Sequence, residues 1–286
     1  MNIHEFQVNS NNKFDLNGIS TDCNGDIDSK KTSEKLLKNN IKKMAEYQEM
    51  LYAQDKYSLL IIFQAMDAAG KDGTIKHVMS GLNPQGTQVY SFKQPSTEEL
   101  DHDYLWRINK ALPERGRIGI FNRSHYEEVL VVRVHDYVKR QKIPNEFINS
   151  KIWETRFEQI RNFEKHIYQN GTRIIKIFLN ISKEEQARRF IQRLNDPAKN
   201  WKFSASDLEE RKIWDKYMSC YQDAIKETST KYAPWYVVPA DKKWYARLVV
   251  SEIIIDTMKG VELNYPEMSS DQKSKIEEFK QRLKVE

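Results

Sequence analysis

The segment from Gln64 to Thr74, QAMDAAGKDGT, is close to a phosphate-binding loop. The usual pattern is a glycine, four residues, Gly-Lys, and then Ser or Thr. Its backbone N–H groups and lysine hold phosphates, and its hydroxyl binds magnesium. Here Ala65 stands in place of the first glycine and Asp72 in place of the hydroxyl residue. These departures leave three interpretations: a chance match, a damaged loop, or a working variant.

The flanking residues place this loop between a strand and a helix. Residues 58–63 (SLLIIF) form a short apolar run typical of a buried parallel strand, and a helical pattern begins at Thr74. Backbone N–H groups at a helix start are unpaired, and the helix dipole favours anions there. Lys71 can span phosphates as a point charge, while Gly70 and Gly73 allow close approach. This context favours phosphate binding.

Asp67 lies inside the loop and has two interpretations. A carboxylate among phosphates repels them unless a cation lies between, which predicts a magnesium ligand or a base near the transferred group. Alternatively, its side chain caps loop N–H groups, a common role of Asp. Thr74 offers a hydroxyl, but at an offset that differs from the usual one. The residues alone leave this choice open.

A second polar pair follows the strand predicted at residues 117–121. Asn122 occupies the position where P-loop phosphotransferases usually carry an acidic residue that organises the metal. Its amide oxygen can accept from a metal-bound water, but it carries no charge. Arg123 can lie across phosphate oxygens. On its own, an arginine at a strand end indicates a surface ion pair.

A predicted helix carries a third basic set in the segment EEQARRFIQR. Arg189 and Arg193 are four residues apart and therefore share one helical face, where they can straddle successive phosphates. The alternative is a solvated face, in which Glu184, Glu185 and Asp196 are the partners. From the residues alone, the solvated face is preferred.

The elements that would position these residues alternate between strand and helix. Such alternation predicts an α/β fold with a mainly parallel sheet covered on both faces. The strands are predicted at residues 58–63, 87–92, 117–121, 173–181 and 235–239. The helices are predicted at residues 33–52, 74–82, 98–112, 182–194, 206–228 and 241–260, with a helical section over 124–170 interrupted near Pro144. Capping boxes are predicted at residues 182–185 and 206–209.

Composition narrows the class of protein. The net charge is +5, and residues 58–264 carry six more basic than acidic residues. This excess fits a protein that binds a polyanion, and it fits an ordinary protein surface equally well. No stretch approaches the ~20 apolar residues of a membrane span. The N-terminus has no secretory pattern and the two cysteines have no metal-like spacing, so we expect a cytoplasmic protein. The segment 22–26 (DCNGD) departs from a calcium loop at its glycine and its last acidic position, and we reject a calcium site.

The motifs QAMDAAGKDGT and FNRSHYEEVLVVRVH together resemble the polyphosphate kinase 2 family. The resemblance continues in KNWKFSASDLEERKIWDKY, TSTKYAPWYVVPADKKWYARL and NPQGTQVYSFKQPSTEELDHDYLWR, and covers about residues 36–260. DAAGKDGT and FNRSHYE are similar to the branch that accepts both nucleoside mono- and diphosphates. The branch specialised for diphosphates instead has an Asp before the Arg. Ala65 and Asn122 are therefore features of the branch, which favours the working variant.

The resemblance implies a P-loop-kinase-like three-layer α/β sandwich with a helical lid and an N-terminal helical arm. It also implies reversible, magnesium-dependent transfer from inorganic polyphosphate to nucleotides, directly and in line, with manganese as an alternative ion. We expect an extended polar arm at residues 1–32 and the phosphotransferase domain at 33–264, with its lid at about 182–216. Residues 265–286 are expected to form a helical tail.

The resemblance also assigns roles to residues. The expected catalytic residues are Asp67, which is also the metal ligand, Lys71, Arg123 and Arg189. Arg189 matches the Gln-x-x-Arg-Phe pattern of the family's lid, and Glu127, which replaces an Asn of other branches, is expected to influence the acceptor. The residues expected to bind nucleotide or polyphosphate are Ala68, Ala69, Gly70, Asp72, Gly73, Thr74, Asn122, Glu127, Arg133, Arg193, Lys199 and Lys202.

The expected partners are inorganic polyphosphate, adenine and guanine nucleotides, and further copies of the chain in a dimer or tetramer. Neither nucleic acid nor membrane is expected. Two other functions stay open at this point. An ATP-dependent nucleotide kinase on the same scaffold would use ATP as well as it uses polyphosphate, whereas a polyanion-binding protein would show salt-sensitive binding without turnover.

Overall fold

A five-stranded parallel sheet forms the centre of the protein in the computed structural model, which describes residues 1–9 and 14–285. The sheet order is β2-β3-β1-β4-β5 and every neighbouring pair is parallel. The strands are β1 (Ser58–Gln64), β2 (Thr87–Ser91), β3 (Ile118–Asn122), β4 (Thr172–Asn180) and β5 (Trp235–Pro239). All seven residues of β1 are buried, as the apolar run predicted. The predicted parallel sheet is confirmed.

Helices cover both faces of this sheet and complete three layers. The first, second and tenth helices pack together, and the fifth, sixth and ninth pack together. The helices are α1 (Lys30–Gln54), α2 (Lys71–Val78), α3 (Thr97–Leu100), α4 (Trp106–Lys110), α5 (Val131–Val134), α6 (Ile152–Gln169), α7 (Lys183–Leu194), α8 (Ala205–Lys212), α9 (Trp214–Thr228), α10 (Lys243–Lys259) and α11 (Ser270–Val285). Within residues 1–9 and 14–285, no helix combines the length and apolar character that crossing a membrane requires.

Two helical predictions were wrong in extent. The section predicted at 124–170 is helical on both sides of a break near Pro144, as predicted, with α5 before the break and α6 after it. The helix predicted at 98–112, however, is divided into α3 and α4. The helix predicted at 206–228 is divided into α8 and α9 by Ile213, whose φ of −101° and ψ of 26° leave the helical region. Between α3 and α4 the Asp103 carboxylate accepts from the Leu105 N–H at 2.9 Å, a local bond that starts a new turn in place of a continuous helix.

The predicted caps also differ from the observed ones. Helix α8 begins with a capping box formed by Ser204 and Asp207, two residues earlier than predicted. At the start of α7, the Ser182 hydroxyl accepts from the N–H of Glu185 at 3.0 Å, as predicted. The Glu185 carboxylate, however, pairs with Arg189 at 2.8 Å. Glu185 therefore forms an ion pair with Arg189 instead of completing the predicted capping box.

The first residues of the chain lie along the edge of β5. Gln7 forms an antiparallel bridge with Tyr236, and the Val8 N–H donates to the Trp235 carbonyl at 2.8 Å. This pairing covers an edge that would otherwise be open to other chains. Part of the predicted arm, residues 10–13, lies outside the described residues.

Candidate active site

The loop between β1 and α2 leads directly into the first turn of α2. Gly70 precedes α2 with a φ of 101°, a left-handed conformation that favours glycine. The Thr74 N–H donates to the Gly70 carbonyl at 2.9 Å, which starts the helix. Ala68 also has a positive φ, at 60°, whereas Ala65 does not. The loop therefore keeps its shape without the usual first glycine.

Three charged side chains meet above this loop. The Lys71 Nζ donates to the Ala65 carbonyl at 2.8 Å, and burial lowers the pKa of Lys71, against the opposing effect of Asp67. Arg123 Nη2 lies 3.2 Å from Asp67 Oδ1. In the sheet, Phe63 of β1 is level with Asn122 of β3, which aligns the two strand ends. The register thus brings Asp67, Lys71 and Arg123 together.

Asn122 and Glu127 flank this trio. Asn122 Nδ2 donates to Asp72 Oδ1 at 2.8 Å, which ties the end of β3 to the first turn of α2. Burial raises the pKa of Glu127, while the nearby charges of Arg123 and Lys71 act in the opposite direction. Glu127 therefore lies close enough to both cations to feel their charge.

Arg189 of α7 holds the loop from the other side. Its side chain is buried, and its Nε donates to Glu185 Oε1 at 2.8 Å. Its four remaining N–H groups donate to backbone carbonyls, those of Ala68, Ala69, Ala240 and Asp241. A guanidinium has five N–H donors. All five are used by the protein, so Arg189 connects the loop between β1 and α2 to the segment that follows β5.

A neighbouring residue of α7 extends this support to Asp67. Gln186 Nε2 donates to the Asp67 carbonyl at 2.9 Å, and Gln186 Oε1 accepts from Arg211 of α8 at 3.0 Å. Gln186 is buried. The backbone of Asp67 is therefore bonded by a side chain of α7, and a side chain of α8 holds that side chain in place.

Asp67, Lys71, Arg123 and Arg189 line a cleft of about 830 Å³, whose lining contains nine basic and three acidic side chains. This excess of positive charge suits a polyanion. The predicted residues that line the cleft are Asp67, Ala68, Ala69, Gly70, Lys71, Asp72, Gly73, Asn122, Arg123, Arg189, Arg193, Lys199 and Lys202. Other residues line the cleft that the sequence motifs did not predict, among them Lys93, Gln192, Trp201, Lys243 and Arg247.

Three other predicted residues lie outside the cleft lining. Thr74 is buried in the first turns of α2. Glu127 does not line the cleft, but it lies close enough to Arg123 and Lys71 for their charges to oppose the rise of its pKa. Arg133 of α5 pairs with Asp223 of α9 at 2.8 Å. The role of Arg133 in binding therefore stays a prediction.

The match to known proteins is extensive. Residues 27–266 match the family model described as Polyphosphate kinase 2 (PPK2). The chain belongs to the polyphosphate kinase 2 family. The resemblance inferred from its motifs is confirmed.

Several members of the polyphosphate kinase 2 family are similar to this chain over nearly its whole length. The Rhodopseudomonas palustris protein named ADP-polyphosphate phosphotransferase is 50% identical over 281 residues, 98% of this chain and 97% of its own. The Meiothermus ruber protein named AMP/ADP-polyphosphate phosphotransferase is 44% identical over 265 residues, covering 92% and 95%. The crystal structure of polyphosphate kinase 2 from Arthrobacter aurescens TC1 superposes with a TM-score of 0.88 at 40% identity, covering 98% and 95%. The P-loop-kinase-like fold class is thereby confirmed.

The carboxylates of this polyphosphate kinase 2 cleft suit a metal held partly by substrate. Among the described residues, no group of three or more His, Cys, Asp or Glu side chains could hold a metal ion. Magnesium, however, is commonly held by one or two carboxylates together with substrate phosphates and waters. Asp67 and Asp72 supply carboxylates to the cleft, one in the loop between β1 and α2 and one in the first turn of α2. This donor set fits magnesium bound with a phosphate chain.

Proposed function

We propose that the cleft transfers a phosphoryl group from inorganic polyphosphate to nucleoside mono- and diphosphates. One observation carries the proposal: the Asp67 carboxylate lies beside Arg123 and Lys71 at the start of α2, inside a strongly basic cleft. The names of the relatives from R. palustris and M. ruber support polyphosphate as donor and AMP or ADP as acceptor.

The proposed transfer is direct. A terminal phosphate oxygen of the nucleotide attacks the end phosphorus of polyphosphate, a new P–O bond forms, and the bond to the bridging oxygen breaks. Lys71 and Arg123 neutralise the oxygens of the moving group, and the N–H groups of α2 hold them. His125 is buried with its Nε2 3.5 Å from Glu164, which gives no support to a covalent histidine intermediate.

Asp67 would hold magnesium, or manganese, in this cleft. The ion, when bound, supplies positive charge to the phosphates and orients them. Asp67 keeps its backbone fixed by Gln186 and one carboxylate oxygen against Arg123. The other oxygen remains available for a ligand. The reversibility of the transfer is part of the proposal.

The segment 182–216 is proposed as a lid within a domain of residues 33–264, preceded by the arm 1–32 and followed by the tail 265–286. Arg193, Lys199 and Lys202 of this lid would bind phosphates and exclude water. For Arg189 to stabilise the transferring charge, some of its five bonds to the protein would have to be exchanged for bonds to phosphate.

Acceptor selection is proposed for Glu127, with Arg133 as a further nucleotide contact. A location in the reducing cytoplasm is also proposed, and the two free cysteines, one half-buried and one buried, support it. A homo-oligomer is also proposed, and sedimentation of the purified protein would test it.

The decisive test compares donors. Purified protein is given magnesium and AMP or ADP with either long-chain polyphosphate or ATP, and nucleotide products are separated by chromatography. We expect ADP and ATP to form rapidly from polyphosphate. Equal or better transfer from ATP would establish the nucleotide kinase instead. Polyphosphate binding without products from either donor would establish a binding protein.

A further inference from the structure

The N-terminal arm reaches the point at which α7 begins. Residues 19–22 of the arm form hydrogen bonds to the ends of two neighbouring strands. The Asn180 side chain, at the end of β4, donates to the Ile19 carbonyl at 3.2 Å. The Asp241 N–H, which follows β5, donates to the Thr21 carbonyl at 3.1 Å. The arm is therefore bonded to both strand ends at the base of α7.

The Asp241 carboxylate joins the arm to the first residue of the proposed lid. Its Oδ2 accepts from the Thr21 hydroxyl at 2.9 Å, and its Oδ1 accepts from the Ser182 N–H at 2.8 Å. Ser182 is the N-cap of α7, and its own hydroxyl holds the N–H of Glu185. Because each carboxylate oxygen has a partner, the bond from Thr21 helps to keep the carboxylate turned toward Ser182.

The backbone of Asp241 holds α7 at a second point. Its carbonyl accepts from Arg189 Nη2 at 3.0 Å, about two helical turns beyond Ser182. Helix α7 in turn holds the loop between β1 and α2, since Arg189 donates to two carbonyls of that loop. Gln186 donates to a third, the Asp67 carbonyl. A shift of Asp241 would therefore reach the backbone of Asp67 through α7.

The arm has other anchors, so the Thr21 hydroxyl can be removed without releasing the arm. Three apolar side chains of the arm are buried in the core, those of Ile3, Val8 and Leu16. Asp22, next to Thr21, pairs with Lys242 at 2.9 Å. A variant that lacks only the hydroxyl should therefore keep the arm in place and alter the bond to Asp241.

We propose that Thr21 is a positioning residue for phosphoryl transfer, which acts through Asp241 on the start of α7. The proposal rests on the proposed function. Without the hydroxyl, the Asp241 carboxylate is free to rotate away from Ser182, and the first turn of α7 gains freedom. This freedom disturbs the alignment of the loop that carries Asp67, whereas the side chains that line the cleft are unchanged. Loss of alignment slows the chemical step more than it weakens substrate binding.

The test compares Thr21→Val with Thr21→Ser and with Ser20→Ala. Valine keeps the branched shape of threonine and removes its hydroxyl, whereas serine keeps the hydroxyl. Ser20 is adjacent in sequence, but its hydroxyl donates to the Asp22 carbonyl at 2.8 Å, within the arm. Hydrogen exchange of the free protein, measured by mass spectrometry, follows the amides at the start of α7. Steady-state assays give kcat and the KM values for polyphosphate and AMP.

We expect Thr21→Val to exchange the amides at the start of α7 about tenfold faster, since a hydrogen bond to a charged group is lost. Its kcat should fall about fivefold or more, while both KM values stay within about twofold. Thr21→Ser and Ser20→Ala should match the wild type. Unchanged exchange or unchanged kcat in Thr21→Val, an equal loss in Ser20→Ala, or no rescue by serine would overturn the proposal.

Asp241→Asn covers the case in which Thr21→Val folds poorly. An amide has a single oxygen, so it cannot accept from Thr21 and Ser182 in the way the carboxylate does. This variant should show the same faster exchange and lower kcat. Wild-type values for both would count equally against the positioning role.

The exchange measurement needs no turnover, so it separates two failures. Faster exchange in Thr21→Val, together with a wild-type protein that transfers no phosphate, would refute the proposed function alone. Normal transfer by the wild type, together with unchanged exchange and kcat in Thr21→Val, would refute the positioning role alone.

Discussion

The Arg189→Met variant separates two roles of this arginine by their effect on stability. If Arg189 served only the moving phosphate, its removal would slow turnover and leave the folded state unchanged. In the structure its guanidinium instead donates to Glu185 and to four backbone carbonyls. Methionine keeps much of the length of the side chain and none of these donors.

The expected loss is large because the site is buried. Removing one partner of a buried ion pair costs about 3–5 kcal/mol. Glu185 retains Arg188 at 2.7 Å, which favours the lower end of that range. We therefore expect Arg189→Met to lower the free energy of unfolding by about 3 kcal/mol.

Urea unfolding followed by circular dichroism measures this loss, with Arg188→Met as the matched control. Arg188 pairs with the same carboxylate, but 68% of its side chain is exposed. An exposed ion pair contributes about 0–1 kcal/mol, so the control should unfold nearly as the wild type does. A loss below about 1 kcal/mol for Arg189→Met would show that this arginine does not hold the loop.

Three further predictions concern the loop, the metal and the core. Burial lowers the pKa of Lys71 from its usual 10.5, so the lysine of the free protein loses its proton earlier as pH rises. The pH profile of kcat/KM for polyphosphate should fall at a pH below 10.5, and a midpoint at or above that value contradicts this. Chelation of magnesium should stop turnover, and Asp67→Asn should need at least about tenfold more magnesium for half of its activity; an unchanged requirement excludes Asp67 as a ligand. Glu164→Gln should lower the free energy of unfolding by about 3–5 kcal/mol in urea, because it leaves the buried Lys176, 2.6 Å away, without its counter-charge. A loss under about 1 kcal/mol would show that Lys176 sheds its proton at little cost.

The centre of the site could be predicted from the sequence because its geometry is local or follows from the sheet. The apolar run of β1 followed by Gly70 and Lys71 determines strand, loop and helix within a few residues. Asn122 and Arg123 lie at the end of another buried strand. Parallel strands end at the same edge of a sheet, so their closeness to Asp67 follows.

The surroundings of the site could not be predicted in this way. Arg189 donates to backbone carbonyls of loops that are about 50 and 120 residues away in the chain. Its hydrogen-bond partners therefore could not be predicted from its own helix. Arg133 shows the same limit, since its partner Asp223 comes from a distant helix. Lys243 and Arg247 did carry a signal, a pair of cations four residues apart on a predicted helix. Without knowledge of the face they occupy, that pair could not be distinguished from a solvated surface.

Lys176 shows a different limit. The segment 173–181 was predicted as a strand, and it is one, but the pattern gives no sign that its lysine is fully buried. The Lys176 Nζ donates to Glu164, to the Tyr126 hydroxyl and to the Thr228 carbonyl. These partners come from three separate segments and offset the cost of burying the charge. No local sequence pattern indicates them.

Phosphorus NMR of one reaction tests the central claim most directly. Wild type and Lys71→Met are each mixed with magnesium, AMP and long-chain polyphosphate, with no other donor present. We predict that the wild type shortens the polyphosphate by one phosphate for every phosphoanhydride bond formed on the nucleotide. Lys71→Met should keep its fold and lose at least about 10²-fold in rate. Nucleotide phosphorylation without shortening of polyphosphate would contradict polyphosphate as the donor, and near-normal transfer by Lys71→Met would contradict the role of this lysine.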